Sequence, residues 1–153
     1  MKQNTFATIK EQLKYLLKEL ICADDPVDID ELEAATYKLI ENHEEILIEI
    51  IQDDSQLGNV RATAAKLLFA VGDKIGIFEN QALIDKIDSI LKHESDLIRY
   101  GIVIGLGVAE NREKLEKYLE DSNSDIREEA TDLLVKITIP YIEDLAINYK
   151  RVL

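Results

Sequence analysis

The sequence predicts an all-α fold built as a stack of antiparallel helix pairs, and three observations predict it. Apolar residues recur at spacings of three and four almost everywhere, while two-residue alternation over a strand's length is scarce. A block of residues returns along the chain: Val60-Arg61-Ala-Thr-Ala64-Ala65-Lys-Leu67-Leu68 aligns with Ile126-Arg127-Glu-Glu-Ala130-Thr-Asp-Leu133-Leu134 in its apolar, basic and small positions. The joints between the apolar stretches are short and polar, so consecutive helices must be antiparallel neighbours.

Taken in order, the periodicity predicts about nine helices, near Thr5–Ala23, Ile29–Glu41, His43–Asp53, Val60–Val71, Gln81–Lys92, Asp96–Ala109, Arg112–Glu120, Asp125–Ile137 and Ile139–Arg151. Asp28 with Glu31, and Asn42 with Glu45, have capping-box spacing, which lets side chains satisfy the orphan amides of a helix start. Ser95, Asn111 and Ser124 are further N-cap candidates. Ile98-Arg99-Tyr-Gly-Ile102-Val103-Ile-Gly105-Leu106 takes the same repeat frame, and Leu32 to Ile40 takes it without the arginine. Successive starts lie 28, 38 and 28 residues apart, the longer unit carrying an insertion around Lys74–Asn80.

VRATAAKLLFAVGD and EDSNSDIREEATDLLVKI resemble the HEAT-like repeats first associated with phycobilisome lyases: an Asp-rich joint, Val-Arg, alanines, then Leu-Gly. The resemblance covers about Leu32 to Ile137. It departs from the pattern at Glu33, where the arginine belongs. It implies a right-handed α-solenoid of HEAT-like helix pairs whose second helices line a concave surface, a shape used mainly for binding. The expected organisation is a single domain over 1–153, with a capping helix at 1–23, repeats over 28–137 and a second capping helix at 138–153.

Composition agrees with an ordered chain, 46% hydrophobic and 32% charged with 6 Gly and 2 Pro. The opening MKQNTFATIKEQLKYLLKEL interleaves charges with apolar residues, so neither a signal peptide nor a spanning helix is expected, and the cytoplasm is the expected compartment. Cys22 is the one cysteine. Its apolar neighbours at a helix end suggest a buried, inert thiol, and no disulfide can form. The net charge of −13 excludes nucleic acid as the expected partner, because phosphate neutralisation needs clustered Lys and Arg. Twelve acids against the single base Lys38 lie between Asp24 and Asp54, so −11 of the net charge is concentrated there.

Several stretches offer chemistry that the residues do not complete. IRYGIVIGLGVAE, Ile98 to Glu110, could be a strand entering a dinucleotide loop, but the sixth position of the fingerprint is Glu110 and no further strands exist. As a helix, it carries three glycines at about 0.5–1 kcal/mol each relative to alanine. Gly101 and Gly105 share a face, so close approach of a neighbouring backbone is the expected compensation. ADDPVDIDE lacks the turn glycine of a calcium loop and has Ala35 where a bidentate acid is needed. His43 and His93 are 50 residues apart, make no metal set or triad, and read as surface residues. Arg61, Arg99 and Arg127 sit just inside successive helices. They read as ties between units, with Asp54, Asp96 and Asp121 as partners. Tyr100, Tyr118, Tyr141 and Tyr149 are possible half-buried anchors for a partner. No cofactor or metal is implied.

A binding surface is the remaining expectation. With the second helices on the concave side, the outward acids are Glu41, Glu44, Glu45, Glu49 and Asp53, then Asp85 and Asp88, then Glu116 and Glu120. Such a field steers a cationic partner. A small, acidic, helical-repeat protein of this kind resembles the immunity proteins of bacterial toxin systems, including contact-dependent inhibition. That implies a non-enzymatic protein, a monomer when free, that neutralises a basic toxin domain, a nuclease among the candidates. An adaptor or assembly factor docking a cellular protein or peptide is the alternative. No residue supports action on a bilin chromophore.

Overall fold

The computed structural model describes the backbone of residues 2–152 and the side chains of residues 7–72, 74–139 and 146. The helices are α1 (Lys2–Cys22), α2 (Pro26–Ile40), α3 (Glu44–Gln52), α4 (Gly58–Ile75), α5 (Ile84–Leu91), α6 (Asp96–Val108), α7 (Arg112–Glu116), which runs into a 3-10 turn at Lys117–Glu120, and α8 (Ser124–Val152). No strand occurs among the described residues. The glycine stretch is therefore helical.

Among the described residues eight α-helices replace the expected nine, because Asp125–Ile137 and Ile139–Arg151 are one helix, α8, with Pro140 in its interior. Proline fixes a φ that suits a helix and sacrifices one hydrogen bond, so it discourages continuation without forbidding it. Three caps also move. Asp25, not Asp28, is the N-cap of α2: its carboxylate accepts from the Val27 amide at 2.9 Å and Pro26 occupies the first turn. His43 caps α3 without a side-chain bond, while Asn42 turns the chain at φ +77°. Asn123 accepts the Asp125 and Ile126 amides, taking the role expected of Ser124. Ser95 and Asn111 cap as expected.

The chain forms two layers around one core. In the first, α4 lies along α6 and α6 against α8; in the second, α3 adjoins α5, with α7 and its 3-10 turn packed on α6 and α8. Phe69, Leu68, Ile50, Ile87, Ile102 and Leu106 are among the fully enclosed residues between them. The place beside α4 that Leu32–Ile40 was expected to fill is taken by α1, which packs on both α4 and α3, while α2 packs on α1. Enclosure explains the exchange. Leu13 and Leu17, four apart on α1, are fully buried, whereas α2 buries only Thr36 and Ile40.

The tightest approach is that of α6 to α4. A Cβ added to Gly101 would overlap the Ala62 carbonyl oxygen, and one on Gly105 would overlap the Lys66 carbonyl oxygen. The expectation that these glycines admit a neighbouring backbone is met. Beyond α6 the chain reverses at Glu110, held at φ +55°, with the Asn111 amide donating back to the Leu106 carbonyl at 2.9 Å. That is the backbone closure usually assigned to glycine.

Two outcomes follow in urea denaturation. Gly101→Ala and Gly105→Ala should each destabilise by about 1–3 kcal/mol through overpacking, although the same change on an open helix face would stabilise. Glu110→Gly should stabilise by about 0.5–1 kcal/mol by removing a left-handed Cβ.

Candidate functional site

The joints before α4, α6 and α8 are each organised around the arginine that follows. Arg61 Nε donates to the Ile51 carbonyl at 2.7 Å and its Nη2 reaches Asp54 at 3.4 Å. Arg99 Nη1 donates to the His93 and Glu94 carbonyls at 2.8 and 2.9 Å, and Arg127 Nη1 donates to the Asp121 carbonyl. Arg99 also reaches forward: Nε and Nη2 donate to the two oxygens of Asp121 at 3.0 and 3.1 Å, and Nη2 pairs with Asp96. The Arg99 and Asp121 side chains are only 10% and 8% exposed. The expected tying role of these arginines is therefore observed, with Asp54, Asp96 and Asp121 as partners. Burial pushes the Asp121 carboxyl upward. The Arg99 hydrogen bonds, the Asn123 amide and the charges of Arg99 and Arg127 outweigh it and hold the group below the usual carboxylate range.

The acids expected to form a partner surface are distributed as follows. Glu41 caps the end of α2, and Glu44, Glu45 and Glu49 lie on α3, with Glu45 and Glu49 exposed and Glu44 half-buried. Glu49 is engaged, accepting from Lys10 Nζ of α1 at 2.5 Å. Asp53 belongs to the joint, where it accepts from the Ser55 amide and hydroxyl and from Gln56; these bonds lower its pKa to about 2. Asp85 and Asp88 are exposed on α5, in the layer that α3 adjoins. Glu116 and Glu120 are exposed on α7 and its 3-10 turn. Between these last two groups, Lys92, Lys114 and Lys117 line a depression with Asp88, Asp121 and Tyr118. The acidic surface is thus interrupted by lysines between α5 and α7. Lys114 also lies 4.4 Å over the Phe78 ring.

Two acidic concavities were missed by reading acids only on second helices. Glu19, Asp24, Asp25, Asp28 and Glu31 line a groove of 600 Å³ where α1 turns into α2. Asp125, Glu128, Glu129 and Asp132 line another of 490 Å³ with Asp96, Leu97 and Tyr100 between α6 and α8. Their i, i+3, i+4, i+7 spacing was available in DIREEATD as a single helical stripe. No lysine or arginine among the described residues pairs with those four α8 acids.

The remaining expectations divide. Cys22 is exposed, not buried, because it ends α1 at the rim of the first acidic groove. His93 is not a simple surface residue: its Nδ1 accepts from the Ser95 amide at 3.0 Å and its Nε2 lies 3.3 Å from Arg61 Nη2. Tyr118 is buried, its hydroxyl donating to the Leu91 carbonyl at 2.6 Å, and burial pushes its pKa up. Tyr100 is partly exposed and donates to Glu129 at 3.3 Å. The side chains of Tyr141 and Tyr149 lie outside the described residues. Among the described residues no three His, Cys, Asp or Glu are grouped to hold a metal ion, and no helix is long and apolar enough to cross a membrane.

Removing one partner of an enclosed ion pair leaves the other charge uncompensated, so Asp121→Ala should cost about 3–5 kcal/mol in urea denaturation. The depressed Asp121 pKa contributes stability that is present above about pH 4 and lost as pH falls through its folded value. Asp121→Asn should accordingly flatten the acid limb of a stability-against-pH curve. Searches against family models, curated proteins and solved structures returned no match for this chain.

Proposed function

We propose that this chain is a non-enzymatic protein-binding module of the cytoplasm. In this reading the helix layers form a right-handed HEAT-like α-solenoid, and the protein acts as an immunity protein that neutralises a basic toxin domain, a nuclease being one candidate, by direct binding. One observation carries the proposal. Among the described residues, the acids between Asp24 and Asp54 that are ion-paired are Glu49 and Asp54, with Lys10 and Arg61. Unpaired like charges at this density repel one another and weaken the fold, and a cationic partner relieves that repulsion. Asp24, Asp25, Asp28, Glu41 and Glu45 are all exposed and available to it. Steering by such a field raises the association rate, while shape decides which partner stays bound.

An adaptor reading is favoured by a different feature. A largely apolar groove of 970 Å³ runs between α1 and α2, lined by Ala7, Tyr15, Leu16, Ala35 and Leu39 among others. It would suit the apolar side chains of a docked peptide.

Association with a panel of purified cationic toxin domains, measured at rising salt, tests the first reading. The bound member should associate more slowly as ionic strength rises. A salt-independent association rate, or no member bound, overturns it. Glu45→Lys should weaken that binding and leave the melting temperature unchanged or higher. Glu49→Lys is a poorer probe, because it also removes the Lys10 pair, worth up to about 1 kcal/mol at a surface. Recovery of several unrelated cellular proteins in a pull-down, instead of one toxin, would support the adaptor.

A further inference from the structure

The joints before α4, α6 and α8 share one hydrogen-bonding device, and one of them is built with the wrong residue for permanence. At the first of these three, before α4, Asp53 accepts the amide of Ser55; at the last, before α8, Asp121 accepts the amide of Asn123. The same two-residue reach is made in the middle joint by His93, whose Nδ1 accepts the amide of Ser95. The correspondence extends to the arginines. Arg99 reaches across its unit to grip Asp121, and Arg61 reaches across its own to His93 Nε2. His93 therefore stands where the last joint has a carboxylate.

An imidazole cannot do what Asp121 does. Oδ1 of Asp121 accepts from Asn123 and from Arg99 Nη2, while Oδ2 accepts from Arg99 Nε, so one carboxylate satisfies both neighbours. A neutral imidazole has one N–H and one lone pair. Its two nitrogens face two donors, the Ser95 amide and the Arg61 guanidinium, and it can accept from only one at a time. A protonated ring can accept from neither, and it would then sit as a cation beside Arg61. The charged groups around it come from every neighbouring element: Arg61 on α4, Asp54 in the preceding joint, Glu94 in its own, and Arg99 on α6. Burial and the Arg61 charge disfavour the protonated form, and these outweigh Glu94 and Asp54, so the pKa of the group is lowered.

We propose that His93 is a proton-sensitive latch: when neutral, its single lone pair, on Nδ1 toward the Ser95 amide or on Nε2 toward Arg61 of α4, holds the joint that starts α6, and protonation removes that hold while leaving the Arg99–Asp121 tie closed. The sign follows from linkage. A histidine whose folded pKa is depressed contributes stability that is present above its unfolded value of about 6.5 and lost as pH falls from there through the folded value. The last joint, held by carboxylate and guanidinium, does not titrate in that window.

The test compares the unaltered protein with His93→Asp, His93→Gln and His43→Gln, by urea denaturation between pH 8 and pH 5. The unaltered protein and His43→Gln should lose stability as pH falls below about 6.5. His93→Gln, which cannot take up the proton, should lose less. His93→Asp should be more stable than the unaltered protein at pH 5.5, since it restores the arrangement seen at Asp121. An equal acid loss in His93→Gln, or a less stable His93→Asp at pH 5.5, overturns the proposal. Should the variants fail to fold, the imidazole of the unaltered protein can be titrated by NMR, with amide exchange followed at Ser95, Ile98 and Arg99. A His93 midpoint at or above about 6.5, or exchange at these amides unchanged on acidification, rejects the latch.

Discussion

Two missing Cβ atoms set the geometry on which the rest of this protein depends. Gly101 and Gly105 let α6 settle against the carbonyl oxygens of Ala62 and Lys66, and no larger residue fits at either point. A helix with three glycines is a poor helix on its own. It becomes a good one when the backbone approach gives each neighbouring side chain more atoms to touch. Ala62 and Ala70 on α4 are the complementary choice, small buried residues whose backbone meets Gly101 and Gly105. Backbone proximity also places the start of α4 and the start of α6 next to each other, which brings the joints before them into hydrogen-bonding range.

The arginines exploit that proximity. Each one is planar, permanently charged and rich in donors, and so can satisfy several joint carbonyls and a carboxylate together. Arg99 does the most, binding two carbonyls behind it and Asp96 and Asp121 beside and ahead of it. Buried side-chain polar atoms are accordingly all partnered among the described residues. Polar joints that would otherwise fray are tied to one another, and the apolar layers between them stay in register.

Charge thus has two separate employments in one chain. Acids within the joints face arginines and serve the fold; acids on α2, α3 and the outer stripe of α8 face solvent with few cations to answer them. A strongly negative protein incurs self-repulsion in the second group. The lysines between α5 and α7 break the field into patches, and acids line the groove where α1 turns into α2 and the one between α6 and α8.

Much of this was legible in the residues alone. Apolar spacing of three and four specifies helix because side chains at those offsets share a face, and the recurrence of Val-Arg or Ile-Arg with small residues marked α4, α6 and α8 as equivalent. The shared face of Gly101 and Gly105 announced a close neighbour, and the position of each arginine announced a tie. These are local properties, settled by period and residue type. What only the tertiary structure decided was which helix lies beside which. A repeat frame could be laid on Leu32–Ile40, yet α1 occupies that place, because burial depends on how completely Leu13 and Leu17 are enclosed and not on resemblance to a pattern. Continuity through Pro140, the exposure of Cys22 and the engagement of Glu49 by Lys10 were equally out of reach. Each depends on the relative position of groups distant in sequence, and a chain read as a string of letters carries no distances.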